Sequence, residues 1–269
     1  MSIVESSSIY YIDSENRLNG TESNFTYSIE IPDSQKYDYV CVLSMTVPLS
    51  YYLIRPPFNT FTLIEGDSNV TITIPYGNYT ANSFAAVVTG LLNSSSPNSF
   101  EYSMSLSNSY SNVNTGKYNY TVSGNNMQPQ FQFGSRICQQ MGFPENSTVT
   151  FIEDALQSSN VLDFIPSSTL FLHSDIVDDN TSVLQELYSN NTVQYSNHVY
   201  QCQSIEMYSK KLRSNKDNVF KFSIEDEHGV ELDLNGHSFL FTLMLYKKND
   251  FYDVFKRFIK YSYFRNEQQ

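Results

Sequence analysis

Two hydrophobic periods follow each other within residues 37–92, and this change constrains the fold more than any other feature. The stretch begins with an apolar, β-branched run over 39–47. Apolar and polar residues then alternate over 60–64 and 70–74, which is typical of strands that bury one face. The sequence therefore predicts a meander of strands in this region.

After Gly77 the hydrophobic period lengthens to about 3.6 residues, which is the period of an α-helix. A helix over 81–93 is predicted, and Thr80 or Asn82 is available as its N-cap. Five apolar side chains would share one face of this helix: Phe84, Val87, Val88, Leu91 and Leu92.

Strands are predicted over most of the remaining chain as well. They cover 9–12, 25–31, 100–106, 118–122, 130–133, 147–152, 169–173, 219–224 and 239–245. Residues 198–213 are predicted as one long bent strand and 184–188 as a helical turn. Asn114-Thr115-Gly116 has the composition of a hairpin turn.

The number of short strands predicts a mainly β protein, a sandwich or a barrel. A second short helix is predicted over 135–141, with Ser135 as its cap. The two helices and the strands between them would form a small α+β region at 78–145, inserted between strands of a core made of 1–77 and 146–248. The pattern leaves open whether this region is an insertion or part of one continuous domain.

Charge is distributed unevenly along this acidic chain, whose net charge is −12. Residues 1–208 contain 5 basic and 19 acidic side chains, whereas 209–269 contain 11 basic and 9 acidic ones. An acidic body does not suit general binding of nucleic acid, so no specific nucleic-acid recognition is predicted. The asymmetry suits either a fixed orientation within an assembly or an ordinary solvated surface.

No catalytic, cofactor-binding or metal-binding residues are predicted, and an enzyme is not expected. The serines make no GxSxG motif, and His173, His198, His228 and His237 make no metal-binding spacing. Asp175, Asp178 and Asp179 could bind a hard cation, but the EF-hand spacing is absent and a solvated loop is the favoured interpretation. The acidic triplet 225–227 is interpreted as a solvated turn.

The three cysteines, Cys41, Cys138 and Cys202, lie far apart in the sequence and form no CxxC motif. They are interpreted as buried, reduced thiols. Residues 1–20 lack the features of a secretory signal, and no apolar run reaches the roughly 18 residues of a membrane-spanning helix.

The end of the chain, 249–269, is predicted to be a basic amphipathic tail. Asn249 or Asp250 can cap a helix that places five apolar side chains at helical spacing: Phe251, Val254, Phe255, Phe258 and Ile259. Such a helix could pack on its own domain, dock on a neighbouring subunit or lie toward a packaged genome. A membrane-surface helix ranks lower, because the acidic body would be repelled by anionic lipid.

Several short motifs occur in an order that resembles one protein family. They are Ser44…Val47-Pro48-Leu49-Ser50-Tyr51-Tyr52, Asn59-Thr60-Phe61 with Glu65, Gly77-Asn78-Tyr79-Thr80, Leu91-Leu92-Asn93, Met141-Gly142-Phe143, and Asp233-Leu234-Asn235-Gly236 followed by Phe239 and Phe241-Thr242-Leu243. In this order and spacing the chain resembles the penton proteins of virophages and of polinton-like or adintovirus-like DNA viruses.

The resemblance implies a jelly-roll β-sandwich and a structural role in the virion. The chain would form homopentamers at the five-fold vertices of an icosahedral capsid and contact a major capsid protein of the double jelly-roll type. It would be made in the host cytoplasm or a virus factory. Two alternatives remain open: a minor capsid or cement protein between capsomers, and a carbohydrate-binding attachment module.

Overall fold

The computed structural model is mainly β and describes residues 4–32, 36–109, 113–165, 169–188, 196–213 and 218–249, together with 251, 255, 256 and 258. The strands are β1 (Val4–Asp13), β2 (Asn19–Gly20), β3 (Asn24–Ser28), β4 (Tyr39–Pro48), β5 (Thr60–Glu65), β6 (Ser68–Thr73), β7 (Glu101–Ser109), β8 (Val113–Ser123), β9 (Gln130–Gln132), β10 (Thr148–Thr150), β11 (Ala155–Gln157), β12 (Thr169–Ser174), β13 (Val183–Tyr188), β14 (Asn197–Gln201), β15 (Lys210–Lys211), β16 (Val219–Asp226) and β17 (Leu240–Lys248). The helices are α1 (Ala81–Ser95), α2 (Ile137–Met141) and α3 (Ile205–Tyr208).

The chain divides into two compact units. Unit 1 consists of Met1–Tyr51 and Ser167–Gln269, and unit 2 is the continuous stretch Tyr52–Pro166. Unit 2 therefore includes the predicted α+β region at 78–145 and also the hairpin of β5 and β6, which the sequence pattern assigned to the core.

Unit 1 contains two antiparallel sheets. The first has the strand order β1-β17-β4-β14, and β15 also pairs with β4. The second has the order β13-β12-β16-β3-β2. The last long strand of the chain, β17, thus lies between the first strand and β4.

Apolar side chains from both sheets of unit 1 pack into one core. Phe220, Phe222 and Ile224 alternate inward along β16, as the period of two predicts, and are at most 1% exposed. The ring of Phe222 lies 5.8 Å from that of Phe25 and 5.1 Å from that of Phe241. Edge-to-face and tilted ring contacts of this kind add to the free energy gained by burial.

Unit 2 has two smaller antiparallel sheets, one in the order β10-β9-β5-β6 and one in the order β11-β8-β7. Its core is built around aromatic rings. Phe131 on β9 is fully buried, and its ring lies 5.4 Å from Phe61, 5.5 Å from Tyr120 and 5.2 Å from Phe151. Part of the large aromatic content of the sequence is therefore used to build this core.

Helix α1 matches its prediction closely. Thr80 is the N-cap, and its side chain and that of Ser83 form a reciprocal capping box. Phe84, Val88 and Leu92 are buried in the core of unit 2, while Val87 and Leu91 are partly buried against it.

Two segments of unit 1 differ from their predictions. Residues 183–188 form strand β13 and not a helical turn, because Leu187 lies opposite Leu170 of β12 and both side chains are buried. The long strand predicted over 198–213 is broken into β14, α3 and β15. The Ser204 side chain accepts a hydrogen bond from the N–H of Met207, and this cap starts a single helical turn.

One turn prediction and one helix-cap prediction in unit 2 are also wrong. Gly116 lies within β8, where the register with β7 shifts and the glycine adopts φ +70°, as at a β-bulge. Ser135 does not cap α2, whose N-cap is Arg136 without a side-chain hydrogen bond. Its hydroxyl instead donates to the carbonyl of Thr60 over 2.8 Å.

Replacing Phe84 with alanine tests the packing of α1. Phe84 is 0% exposed, and its ring lies 5.2 Å from Phe164 and 5.8 Å from Tyr79. Phe84→Ala should lower the free energy of unfolding by about 3–5 kcal/mol, as truncation of a buried phenylalanine does. Denaturant unfolding followed by circular dichroism measures this loss.

Gly90→Ala on the same helix is the matched control. Gly90 is exposed, and a Cβ there would meet nothing within 4 Å. The exchange should therefore raise stability by about 0.5–1 kcal/mol, because glycine disfavours the middle of a helix. A loss below about 1 kcal/mol for Phe84→Ala would mean that this face is not packed in a core.

Candidate assembly surface

The asparagines in the short motifs that resemble penton proteins form side-chain hydrogen bonds to the backbone. They do so near the ends of strands and helices. In unit 2, the Asn59 side chain donates to the carbonyl of Ile74 over 2.7 Å. Asn93, at the end of α1, accepts from the N–H of Tyr102 over 2.6 Å and donates to its carbonyl over 3.1 Å. Asn93 therefore joins the helix to the strand that follows it.

Two further motif asparagines hold loops. Asn78 accepts a hydrogen bond from the N–H of Leu53 over 2.8 Å. In unit 1, Asn235 lies in a turn at φ +51°, and its side chain donates to the carbonyl of Ser50 over 2.6 Å. These contacts give each motif asparagine a structural role that does not involve reactive chemistry.

A glycine is needed at position 142, in the motif Met141-Gly142-Phe143, because Ser158 lies very close to its backbone. It ends α2 in the left-handed conformation at φ +78°, and a Cβ there would lie 2.6 Å from the Cβ of Ser158. The carbonyl of Met141 accepts a hydrogen bond from the buried hydroxyl of Tyr120 over 2.7 Å.

Glu65 is a buried carboxylate in unit 2 that is only 1% exposed. Its Oε1 accepts from the hydroxyls of Ser96 over 2.7 Å and Tyr102 over 2.8 Å, and its Oε2 accepts from the N–H of Asn98 over 2.9 Å. Burial, with Glu65 beside it, holds the pKa of Tyr102 well above its usual range, so this phenol remains a donor. The cluster therefore fixes the chain after α1 to the end of β5.

The aspartates considered as a cation site point to separate protein partners. Asp175 accepts from the N–H of Lys221 over 2.7 Å, and Asp179 accepts from both the N–H and the hydroxyl of Thr181. Asp178 lies 3.9 Å from the ammonium of Lys211. Within the described ranges, no group of three histidine, cysteine or acidic side chains is arranged to hold a metal ion.

Asp226 is buried, although the sequence pattern placed it in a solvated turn. It is 4% exposed, and its Oδ1 accepts from the N–H groups of His228 over 2.9 Å and Val230 over 3.0 Å. The carboxylate thus satisfies the backbone donors of the turn that follows β16.

The structure brings one histidine close to a serine and a glutamate. His173 Nδ1 lies 3.2 Å from the Ser182 hydroxyl, and its Nε2 lies 3.6 Å from Glu225 Oε2. A separation of 3.6 Å is too long for the hydrogen bond that orients the base in a catalytic triad. The arrangement therefore does not support nucleophilic catalysis.

Two of the remaining histidines are explained by their local surroundings. His198 is buried, its Nε2 lies 3.1 Å from the hydroxyl of Tyr51, and burial lowers its pKa. His228 Nε2 lies 3.7 Å from Glu227, its neighbour in the turn.

Two cysteines that are distant in sequence are neighbours in unit 1. The Sγ atoms of Cys41 and Cys202 are 3.6 Å apart. Cys41 and Cys138 are buried, as predicted, but Cys202 is only partly buried. Sequence spacing could not reveal this pair, because β14 and β4 become neighbours only in the folded sheet.

The outer face of the first sheet carries exposed apolar side chains. We call it the outer face and define it by three cross-strand rows: Ile9–Met244–Cys41, Tyr11–Thr242–Ser44–Gln201 and Asp13–Leu240–Thr46–Val199. Tyr11 is 77% exposed, Val199 59%, Ile9 50% and Leu240 48%.

The next row of the same sheet, Ser7–Tyr246–Tyr39–Lys211, adds a lysine, whereas the three rows of the outer face contain a single charged side chain, at their end. This side chain, Asp13, caps the turn that follows β1 by accepting from the N–H of Glu15 over 2.9 Å. By contrast, the corresponding face of the second sheet carries Lys221, Glu225 and Glu186. The outer face is therefore where another acidic molecule could approach with little electrostatic repulsion.

Only four residues of the predicted tail helix are described. Phe251, Phe255 and Phe258 are 60%, 46% and 67% exposed, and Lys256 forms an ion pair with Glu206 over 2.8 Å. Val254 and Ile259 lie outside the described residues. The described phenylalanines are thus not buried in the core of unit 1.

No family model matches the sequence, and no curated protein is similar to it in sequence. Among solved structures, the protein is similar to the mavirus penton protein, with 13% identity and a TM-score of 0.45 over 90% of this chain and 100% of that one. It is also similar to the D1-D2-D3 domains of the flagellar cap protein FliD from Escherichia coli, with 11% identity and a TM-score of 0.24 over 82% and 57% of the two chains. Both TM-scores are too low to assign the fold or the function.

Among the helices that the structure describes, none has the length and apolar character needed to cross a membrane.

Substitution of Glu65 tests the buried carboxylate. Glu65→Gln keeps the shape but replaces one acceptor oxygen with an amide that donates, so at least one of the three donors bound to Glu65 loses its partner. The free energy of unfolding should fall by about 1–3 kcal/mol, and thermal or denaturant unfolding measures this change. Glu101→Gln, at an exposed position of β7, is the control and should stay within about 0.5 kcal/mol of the original protein. Equal stability of the two variants would contradict the role given to Glu65.

Proposed function

We propose that unit 1 is a jelly roll, and the order of its strands is the observation that carries this proposal. Its eight principal strands in chain order are β1, β3, β4, β12, β13, β14, β16 and β17. Their order is first-eighth-third-sixth in one sheet and second-seventh-fourth-fifth in the other. Pairing of first with eighth, second with seventh, third with sixth and fourth with fifth is what a long hairpin makes when it is rolled into two packed sheets.

The proposed domain organisation follows from this order. The core, predicted over 1–77 and 146–248, would be interrupted between its third and fourth strands by the α+β region predicted at 78–145, and 249–269 would extend it as the basic tail. The division of the chain into two compact units favours an insertion longer than the predicted 78–145, namely Tyr52–Pro166.

We infer that the protein is a structural capsid protein, a penton at the vertices of an icosahedral virion. The ordered motifs support this function, because their residues form turns, side-chain hydrogen bonds to the backbone and buried contacts. The roles described for these residues are structural. A single jelly roll has two broad faces and suits side-by-side assembly. Penton proteins of virophages and related viruses would then be the relatives implied by the motifs.

A homopentamer is proposed because the motifs resemble those of penton proteins. Five copies around an axis can close only through a heterologous contact, in which two different faces meet. The outer face is the surface proposed for one side of this contact. Aromatic and aliphatic anchors such as Tyr11 and Ile9 are typical of interface centres, and charged side chains are depleted there.

The proposed partners beyond the pentamer are the surrounding major capsid proteins of the double jelly-roll type. The protein would be made in the host cytoplasm or a virus factory and would reside at the capsid vertex. Lys247 and Lys248, at the end of β17, directly precede the basic tail, which is proposed to face a neighbouring subunit or to contact the genome non-specifically.

Two other functions are weighed against this one. A cement protein between capsomers would share the fold but would not form rings of five. A carbohydrate-binding module would use a polar cleft, and unit 2 has one of 540 Å³ whose lining includes Thr62, Thr71, Gln132 and Thr148. The aromatic residues of its lining, Phe61 and Phe133, are buried and offer no open ring for a sugar to stack on.

Disruption of the outer face tests the homopentamer. The purified chain, or the chain co-assembled with the major capsid protein, should give rings with five times the chain mass of 30.9 kDa by light scattering. Tyr11→Asp should raise the concentration for half-assembly about tenfold or more, because it puts a charge into an apolar contact. Leu18→Asp, at a position 61% exposed but outside the outer face, is the control and should leave assembly unchanged.

The results of this test separate the candidate functions. If the purified chain stays monomeric even when it is mixed with the major capsid protein, the penton proposal is contradicted. Binding of glycans by such a monomer would support the attachment module, and incorporation between capsomers without rings would support the cement protein.

Deletion of residues 250–269 tests the tail. The described phenylalanines of the tail are exposed, so the shortened chain should keep its β-core and its unfolding midpoint. Incorporation into capsids should weaken, and the difference from the full-length chain should shrink as the salt concentration rises, because salt screens the charges that the tail contributes. Circular dichroism and capsid co-sedimentation measure the two effects. An unfolded truncation would show that the tail belongs to the core, and normal incorporation at every salt concentration would show that it is only solvated surface.

A further inference from the structure

The two cysteines of unit 1 lie side by side, although they come from the two separate stretches of chain that build this unit. Cys41 lies on β4, and Cys202 directly follows β14, the strand paired with β4. Their Sγ atoms are 3.6 Å apart, and the N–H of Cys202 donates to the carbonyl of Leu43 over 2.8 Å. The backbone contact therefore holds Cys202 beside β4 before any covalent bond exists.

The two thiols differ in exposure. Cys41 is 0% exposed, whereas Cys202 is partly exposed. A reagent from solution would therefore reach Cys202 first, and Cys41 could react only with a group already attached to Cys202. This is the arrangement of an entry thiol and a resolving thiol.

We propose that Cys41 and Cys202 form an intramolecular disulfide when the protein meets an oxidising environment. A disulfide needs the sulfur atoms about 2.05 Å apart, so they must approach each other by roughly 1.5 Å. Cys202 lies just beyond the last residue of β14 and is still bonded to β4 through its N–H, so the sulfur atoms would approach by rotation of the two side chains.

The oxidant would be a small-molecule disulfide such as oxidised glutathione. The Cys202 thiolate attacks one of its sulfur atoms, a mixed disulfide forms, and one glutathione thiolate leaves and takes up a proton. The Cys41 thiolate then attacks the Cys202 sulfur, and the second glutathione thiolate leaves. The two cysteines together lose two electrons and two protons, and the oxidant is reduced to two thiols.

The second step should be the slow one. Burial raises the pKa of Cys41 to about 12, and the neighbouring Cys202 adds to the rise. Only a small fraction of Cys41 is therefore thiolate at neutral pH, and the rate of ring closure should increase with pH.

The bond would join residues 161 positions apart, and the enclosed loop contains all of unit 2. A cross-link across so long a loop restricts the unfolded chain strongly. It would also attach β14, at the edge of its sheet, to the central strand β4. The protein could thus fold with reduced thiols and become harder to unfold after oxidation. This inference does not depend on the proposed function.

Oxidation of the full-length chain tests the proposal. After incubation with oxidised glutathione under native conditions, the chain should retain one of its three thiols and lose the mass of two hydrogen atoms. Peptide mapping without reduction should recover a peptide pair linked through Cys41 and Cys202. The oxidised protein should unfold at a higher denaturant concentration, and dithiothreitol should reverse the shift.

Two variants serve as controls. Cys202→Ala should keep both remaining thiols and show no shift in unfolding midpoint, whereas Cys138→Ala should still form the disulfide. Three thiols after long oxidation, a mixed disulfide on Cys202 that never closes, or a covalent dimer through Cys202 would each overturn the proposal. Because peptide mapping is done on the unsubstituted chain, the test remains valid if a variant fails to fold.

Discussion

The structure of unit 1 depends on the insertion of β17 between β1 and β4. This strand pairs along most of its length on both sides, so it supplies the backbone partners of the first strand and of a central one. It also carries Phe241, Leu243 and Leu245 into the core. Without it, two long strands would lose a row of hydrogen bonds, and the core would lose the side chains that fill it. On the other face of β17, Met244 and Tyr246 are covered, whereas Leu240 is 48% exposed.

Unit 2 is held together in a different way, with polar anchors placed around an aromatic core. Phe131 and its neighbouring rings provide the buried area, and rings can pack together in several arrangements of similar energy. The buried carboxylate of Glu65 and the amide of Asn93 select one arrangement, because each satisfies particular donors at particular places. Polar and apolar motif residues therefore have different structural roles in unit 2. This difference explains why the motifs contain asparagine, glutamate and glycine as well as apolar residues.

The sequence predicts those parts of the fold that local periodicity encodes. The helix α1 with its cap, the inward alternation of β16 and the strand pair β5–β6 follow from residues within one window of the chain. The strand β13 does not, because its leucines are also compatible with a helical turn until Leu170 lies opposite Leu187. The outer face and the pair of Cys41 and Cys202 are likewise invisible in the sequence, since they arise from the register between distant strands. The missed β-bulge at Gly116 belongs to the same class, because a glycine in a turn and a glycine in a bulge have the same local composition.

The division of the chain into a continuous unit and an interrupted one has a consequence for the order of events during synthesis. All of unit 2 has been made when the ribosome reaches residue 166, so its sheets can form while the remainder is still being translated. At that moment β4 exists, but none of its partners β14, β15 and β17 does. This hydrophobic strand therefore has no partner until β14 has been made, and its pairing is complete only after Lys248. During this interval the growing chain therefore carries an unpaired hydrophobic strand of unit 1 together with a unit 2 whose strands have all been made.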